Sequence, residues 1–281
     1  MSGSTIRAGV MGWPVGHSRS PRLHGYWLDR YGIDGTYEAL AVTPDELAGQ
    51  LSSLAGWGFA GINLTVPHKE AALDAMASLS PAARAIGAVN TVVVGADGGL
   101  TGDNTDGFGF LENLRHGASQ WTADAGPVVV VGAGGAARAI CHALATDGAP
   151  EVRVVNRTEA RAVNLVEDLA GPLTPWPWND RAGALSDAAL VVNTTALGMV
   201  GQDPLDLDLE RLPVTAVVND IVYAPLETPL LAAAASRGNT VVDGLGMLLH
   251  QARPGFEAWF GVAPEVTDEL RARVLGPDEL A

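Results

Sequence analysis

Four consecutive valines, Val128–Val131, run straight into Gly132-Ala133-Gly134-Gly135-Ala136-Ala137, and this stretch limits the possible folds most sharply. A short, wholly apolar, β-branched run suits a strand covered on both faces, the condition of a strand inside a parallel sheet. An apolar helical pattern follows over Arg138–Ala145. Between strand and helix, the spacing G-x-G-x-x-A has a mechanical meaning. Gly132 permits the tight turn, Gly134 lets the main chain approach a pyrophosphate, and the small Ala137 allows the helix to pack close to the strand. The helix N-terminus then offers N–H groups and a favourable dipole to phosphates. Gly132, Ala133, Gly134, Gly135 and Ala136 are the expected cradle.

The next expected strand, Val152–Val155, ends on Asn156-Arg157-Thr158. An NAD site usually has an acidic side chain near here for the ribose hydroxyls. No acid stands at this strand end, and Arg157 and Arg161 lie nearby. A guanidinium pairs with a 2′-phosphate through charge-assisted hydrogen bonds. The missing carboxylate also removes a repulsion. NADP is therefore the expected cofactor, with Asn156, Arg157, Thr158 and Arg161 around its 2′-phosphate. Glu159 leaves the strictness of NADP over NAD open.

Strand-like and helix-like runs alternate along the rest of the chain. Ile6–Met11, Gly35–Leu40, Gly61–Leu64 and Thr91–Val94 read as strands, and the stretches near Ser20–Tyr31, Thr43–Leu54 and Pro67–Ala77 as helices. Thr43 can cap the second helix, with Pro44 at its first position and Glu46 three residues after Thr43. Beyond Val155, strands are expected at Leu190–Asn193, Val214–Asn219 and Thr240–Val242, while Gly171–Asp180, rich in Pro and Trp, reads as a loop. This alternation predicts an α/β fold with largely parallel sheets. Two lobes are expected: an N-terminal α/β lobe over 1–105 and a Rossmann-type NADP-binding lobe over 106–244.

Composition removes several function classes. A formal net charge of -15 argues against a nucleic-acid partner. Apolar runs fall well short of the ~20 residues that span a bilayer, and Met1–Arg7 carries no apolar signal core, so a cytoplasmic protein is expected. The single Cys141 sits in an apolar helical run and reads as core. The six histidines (17, 24, 68, 116, 142 and 250) are scattered, and no metal site is expected.

Three polar clusters interrupt the apolar pattern. They are Gly16-His17-Ser18-Arg19-Ser20-Pro21, Asn63-Leu64-Thr65-Val66-Pro67-His68-Lys69, and Gly87-Ala88-Val89-Asn90-Thr91 followed by Gly102-Asp103-Asn104-Thr105-Asp106-Gly107. In the second, strand alternation puts Asn63 and Thr65 on one face. Together with the cofactor segments and Asp243-Gly244-Leu245-Gly246-Met247-Leu248, these clusters resemble the shikimate dehydrogenase family over nearly the whole chain. The resemblance implies reversible reduction of 3-dehydroshikimate to shikimate by NADPH. It implies that Ser18 and Ser20 bind the substrate carboxylate, and that Thr65, Asn90, Asp106 and Gln251 contact ring hydroxyls. Asn63 and Tyr223 would stand at the edge of the site, with Ile221, Gly244 and Met247 near the nicotinamide. Lys69 and Asp106 would be the catalytic pair, with Lys69 as proton donor and anion stabiliser. It also implies that helices over 245–281 pack back on the first lobe. Asp106 can equally cap the helix over Gly107–Leu114. Two alternatives stay open: a quinate/shikimate dehydrogenase, and a non-catalytic NADP-binding regulatory module. A homodimer is compatible with the sequence, which does not fix the assembly.

Overall fold

The computed structural model describes residues 5–276; the expected lobe ends at 1–4 and 277–281, and the start of the segment read for a signal, lie outside them. Two compact units separate: residues up to 105 together with those from 251 onward, and residues 106–250.

The first unit runs β1 (Ile6–Gly12), α1 (Ser20–Tyr31), β2 (Gly35–Ala41), α2 (Leu47–Ser53), β3 (Gly61–Leu64), β4 (Ser78–Leu79), α3 (Pro81–Ile86), β5 (Thr91–Val94) and β6 (Leu100–Asp103). Its sheet has the order β2-β1-β3-β5-β6-β4. Strands β2 and β3 lie parallel to β1, but β5 is antiparallel to both β3 and β6. Strand β4 runs parallel to β6, so the expected largely parallel sheet is present with β5 as its one reversed strand. The β5–β6 pairing has a local cause: Gly95 N–H donates to the Gly99 carbonyl at 2.8 Å, and Asp97 Oδ1 accepts from Gly99 N–H at 3.0 Å. A turn this short joins only antiparallel neighbours.

The capping pair ahead of α2 is present: Glu46 Oε2 accepts from Thr43 N–H at 3.1 Å and from the Thr43 hydroxyl at 2.8 Å. The helix expected near Pro67–Ala77 is absent, and that stretch holds turns and a short 3₁₀ segment, Leu73–Ala75. Distant partners win over local helix bonds there. The Lys69 carbonyl accepts from Val89 N–H at 2.8 Å, and His68 Nε2 bonds the Val42 carbonyl at 2.8 Å.

Gly61 marks the tightest packing in this unit. A Cβ at residue 61 would strike the Trp259 indole and the Val92 carbonyl oxygen, which themselves hydrogen-bond at 3.0 Å. Gly61→Ala is expected to destabilise the protein by about 3 kcal/mol, as overpacking of a rigid backbone contact. Urea unfolding of the two proteins measures it.

The second unit runs α4 (Asp106–Gly117), β7 (Val128–Val131), α5 (Gly135–Thr146), β8 (Val152–Val155), α6 (Glu159–Asp168), β9 (Leu173–Trp176), β10 (Leu190–Asn193), β11 (Val217–Asp220), α7 (Pro229–Ser236), β12 (Thr240–Val242) and the start of α8 (Leu245–Phe260). All its strands are parallel, in the order β12-β11-β10-β7-β8-β9. This is the doubly wound order, with its switch point between β7 and β10. The four valines of β7 are at most 1% exposed. Each fully buried valine contributes roughly 1.5–3 kcal/mol. Cys141 is buried in the same core, and burial pushes its thiol up to about 12.

Two expectations fail in this unit. Strand β9 forms where a loop was expected. It is an edge strand, where Pro175 needs no ladder partner for its missing N–H. Strand β11 begins at Val217 rather than Val214, because Asn239 Nδ2 holds the preceding turn by donating to the Pro213 and Ala216 carbonyls.

The unit boundary lies after His250 rather than after Gly244. Asn113 Nδ2 donates to the Asp243 carbonyl at 2.7 Å, and the His250 ring stands 6.3 Å from that of His116. These contacts tie the first turns of α8 to α4. From Gln251 onward the described residues belong to the first unit, with α9 (Asp268–Leu275) as their last helix. There Trp27 Nε1 donates to the Glu265 carbonyl at 2.9 Å. Among the described residues, no helix is long and apolar enough to cross a membrane.

Candidate functional site

In the second unit a cavity of about 490 Å³ opens at the carboxyl ends of β7 and β8, lined by Gly132, Asn156, Arg157, Thr158, Arg161 and Thr195 among others. Open α/β sheets bind ligands at this position. Gly132 has φ +120°. A side chain there would strike the Thr194 hydroxyl, which donates to the Val131 carbonyl at 2.8 Å. The turn thus admits only glycine. Helix α5 starts after Gly134 with no side chain capping it, so its first N–H groups are available to an anion. Ala133, Gly134, Gly135 and Ala136 form this turn and first helical positions. Asn156 Nδ2 donates to the Thr158 carbonyl at 2.8 Å and shapes the turn that carries the exposed Arg157 and Arg161. A glycine-only turn, an uncapped helix end and two guanidinium groups fit a dinucleotide with a 2′-phosphate.

The other residues expected at the cofactor lie in the same unit. Ile221 follows β11, and its N–H donates to the Asn193 carbonyl at 3.1 Å. Gly244 N–H donates to the Val222 carbonyl at 3.3 Å. Met247 is largely buried in the core beside α4 and α5, with Ile221 packed against that core. Tyr223 is half-buried. Asp106 is 5% exposed and is the first residue of α4.

The first unit gathers most of the residues expected at the substrate into one hydrogen-bonded chain. The Tyr37 hydroxyl donates to Asn63 Oδ1 at 2.6 Å. Asn63 Nδ2 donates to the Asn90 carbonyl at 3.0 Å and to Thr91 Oγ1 at 3.1 Å. The Thr91 hydroxyl donates to Asn90 Oδ1 at 3.0 Å, and Asn90 Nδ2 donates to Gln251 Oε1 at 3.2 Å and Thr105 Oγ1 at 3.0 Å. The single Thr105 hydroxyl proton goes to the Gln251 carbonyl at 2.8 Å. Asn63 and Asn90 thus act first as organisers of their neighbours. Ser20 is buried at the start of α1 and hydrogen-bonds Tyr37, and its N–H donates to Ser18 Oγ at 3.3 Å. Thr65 and Lys69 are half-buried just beyond β3.

Sequence reading missed Tyr37. It lies on β2, two strands from Asn63, and only the sheet order β2-β1-β3 brings them together. Burial pushes its hydroxyl well above the usual tyrosine range. Its ring stacks on His24 at 3.9 Å and 3° between planes.

His24 is fully buried, and neither ring nitrogen has a hydrogen-bond partner. Desolvation lowers its pKa to about 3. Between pH 6.5 and 3 the unfolded chain therefore binds a proton that the folded one does not, so stability falls as pH falls through that window. The loss between pH 6.5 and 5 is about 1.6 kcal/mol. His24→Phe keeps the stack and is expected to abolish this slope in urea unfolding measured at several pH values. Among the described residues, no cluster of His, Cys, Asp or Glu could hold a metal ion.

Three family models match the chain: the shikimate dehydrogenase substrate binding domain over residues 10–92, shikimate / quinate 5-dehydrogenase over 118–199, and the shikimate 5′-dehydrogenase C-terminal domain over 244–275. A shikimate dehydrogenase (NADP(+)) of Paramagnetospirillum magneticum is 60% identical over 275 residues, covering 98% of this chain and 100% of that one. A shikimate dehydrogenase (NADP(+)) of Rhodospirillum rubrum is 61% identical over 280 residues, covering 98% and 99%. Among solved structures, shikimate 5-dehydrogenase of Thermus thermophilus, in complex with NADP(H) and shikimate, superposes with a TM-score of 0.83 at 40% identity, covering 92% of this chain and 95% of that one. Quinate dehydrogenase of Corynebacterium glutamicum, in complex with NAD, gives 0.90 at 31% identity, covering 96% and 99%. With the glycine turn, the arginine pair and the amide network all in place, the chain belongs to the shikimate dehydrogenase family.

Proposed function

We propose that the protein catalyses the reversible, NADPH-dependent reduction of 3-dehydroshikimate to shikimate. The observation that carries this is the amide network centred on Asn90, which aligns Asn63, Thr105 and Gln251 as a ready-made set of groups for a polyhydroxylated ring. Ser18 and Ser20 bind the substrate carboxylate, Ser18 through its hydroxyl and Ser20 by turning its hydroxyl proton from Tyr37 to the carboxylate. Thr65, Asn90, Gln251 and Asp106 hold the ring hydroxyls, with Asn63 and Tyr223 at the edge. Gly132 to Ala136, Asn156, Arg157, Thr158 and Arg161 would hold NADPH, with Ile221, Gly244 and Met247 toward its nicotinamide, and the bound cofactor would supply the hydride. Reduction builds negative charge on the carbonyl oxygen. The Lys69 ammonium stabilises that charge and delivers the proton, and Asp106 orients the reacting hydroxyl. The cytoplasm is the compartment proposed for this reaction.

The test is a progress curve with 3-dehydroshikimate and NADPH, with the product identified by chromatography. Stoichiometric shikimate is expected. Tight NADP binding without turnover would support the non-catalytic alternative instead.

A further inference from the structure

Asp220, the last residue of β11, has 0% exposure and is gripped by donors from three segments. Its Oδ1 accepts from Asn193 Nδ2 and from Val222 N–H, both at 3.0 Å. Its Oδ2 accepts from the Thr228 hydroxyl at 2.7 Å. That hydroxyl itself accepts from Leu231 N–H at 3.3 Å, so its one proton points at Asp220.

Asn193, the last residue of β10, passes the grip onward. Its Oδ1 accepts from the Thr195 N–H at 3.0 Å and the Thr195 hydroxyl at 2.8 Å. Its Nδ2 donates to the Leu197 carbonyl at 3.0 Å, and Leu197 N–H donates back to Thr195 Oγ1 at 3.1 Å. Thr195 and Leu197 both line the nucleotide cavity. One carboxylate therefore ties together the segments that follow β10 and β11, next to the switch point of the sheet.

A buried carboxylate is a costly way to fill space. Burial pushes the pKa of Asp220 upward, while its three donors act in the opposite sense. An asparagine at 220 would turn an NH₂ toward one of those donors, and an aliphatic residue would leave all three unpaired.

We infer that Asp220 is a positioning residue for cofactor binding: through Asn193 it fixes Thr195 and Leu197 at the wall of the nucleotide cavity, and through Val222 it fixes the segment from Ile221 to Tyr223. The inference rests on the proposed NADP-dependent activity. Asp220 touches no reacting atom and acts only through these neighbours.

The test is calorimetric titration of NADP+ into wild-type, Asp220→Asn and Asp220→Ala protein, at a temperature where melting curves show all three folded. NADP+ binding is expected to weaken at least about tenfold in both variants. Amide exchange at Thr195 and Leu197 is expected to quicken in parallel. A carboxylate that merely stabilises the fold would lower Tm and leave the Kd and those two amides unchanged, and that result overturns the inference. If neither variant folds, Thr228→Val keeps the carboxylate and removes one donor. Weaker NADP+ binding in that variant supports the inference, and an unchanged Kd overturns it. Wild-type protein that binds no NADP+ would overturn the cofactor reading itself, and the inference with it.

Discussion

Lys69→Ala is expected to lower kcat for 3-dehydroshikimate reduction by about a hundred- to ten-thousand-fold, the range for loss of a positioned proton-transfer group. The substitution should act on chemistry rather than on folding. Lys69 is half-buried, and its main chain is anchored independently of its side chain. The Lys69 carbonyl accepts from Val89 N–H at 2.8 Å, and the preceding His68 is fixed through the Val42 carbonyl at 2.8 Å. Truncation therefore removes the ammonium and leaves the turn in place. KM for 3-dehydroshikimate should change much less than kcat, because the carboxylate and hydroxyl contacts assigned to Ser18, Ser20, Thr65 and Asn90 remain. Lys69→Arg separates charge from proton transfer: the guanidinium keeps the charge but does not give up its proton. It should retain affinity and lose turnover. A rise in KM with kcat unchanged in Lys69→Ala would contradict the acid role and leave Lys69 as a binding group.

The double substitution Arg157→Ala/Arg161→Ala is expected to weaken NADP+ binding by at least about a hundredfold, with each lost charge-assisted hydrogen bond contributing about 1.5–3 kcal/mol. Binding of NAD+ should change by less than about threefold, since it has no 2′-phosphate to lose. The chain carries a formal net charge of -15, so its overall field opposes an anionic dinucleotide. Arg157 and Arg161 line the cavity together with Asp203 and Asp206, and Asp206 is paired with Arg181. The NADP+ affinity of the wild type should therefore fall with added salt, and the variant should show a flatter dependence. Equal weakening of NADP+ and NAD+ would mean that the arginines shape the pocket without reading the phosphate.

The features most legible in the sequence were those set by neighbours along the chain. The valine run, the glycine spacing and the Asn-Arg-Thr end of β8 each need only a few consecutive residues, and together they mark the cavity at the carboxyl ends of β7 and β8. Strand β6 was missed although Asp97-Gly98-Gly99 carries its turn, because Leu100–Asp103 shows little apolar alternation. Strand β9 was hidden by Pro175, whose missing N–H is tolerated only at an edge that sequence does not reveal. The stretch after Pro67 has helical composition, yet hydrogen bonds to Val42 and Val89 override it. The candidate site shows the same division. Asn63 and Asn90 stood out as polar residues in apolar surroundings. Tyr37 and Asp220 did not, since their meaning depends on strands distant in sequence.

The most direct measurement is kcat/KM for shikimate and quinate, each with NADP+ and with NAD+. Shikimate with NADP+ should be the best of the four combinations by at least about tenfold, because the arginine pair favours the 2′-phosphate and the Ser18/Ser20 and Asn90 groups are assigned to shikimate. Efficient quinate oxidation with NAD+, equal to or above shikimate with NADP+, would contradict the assignment.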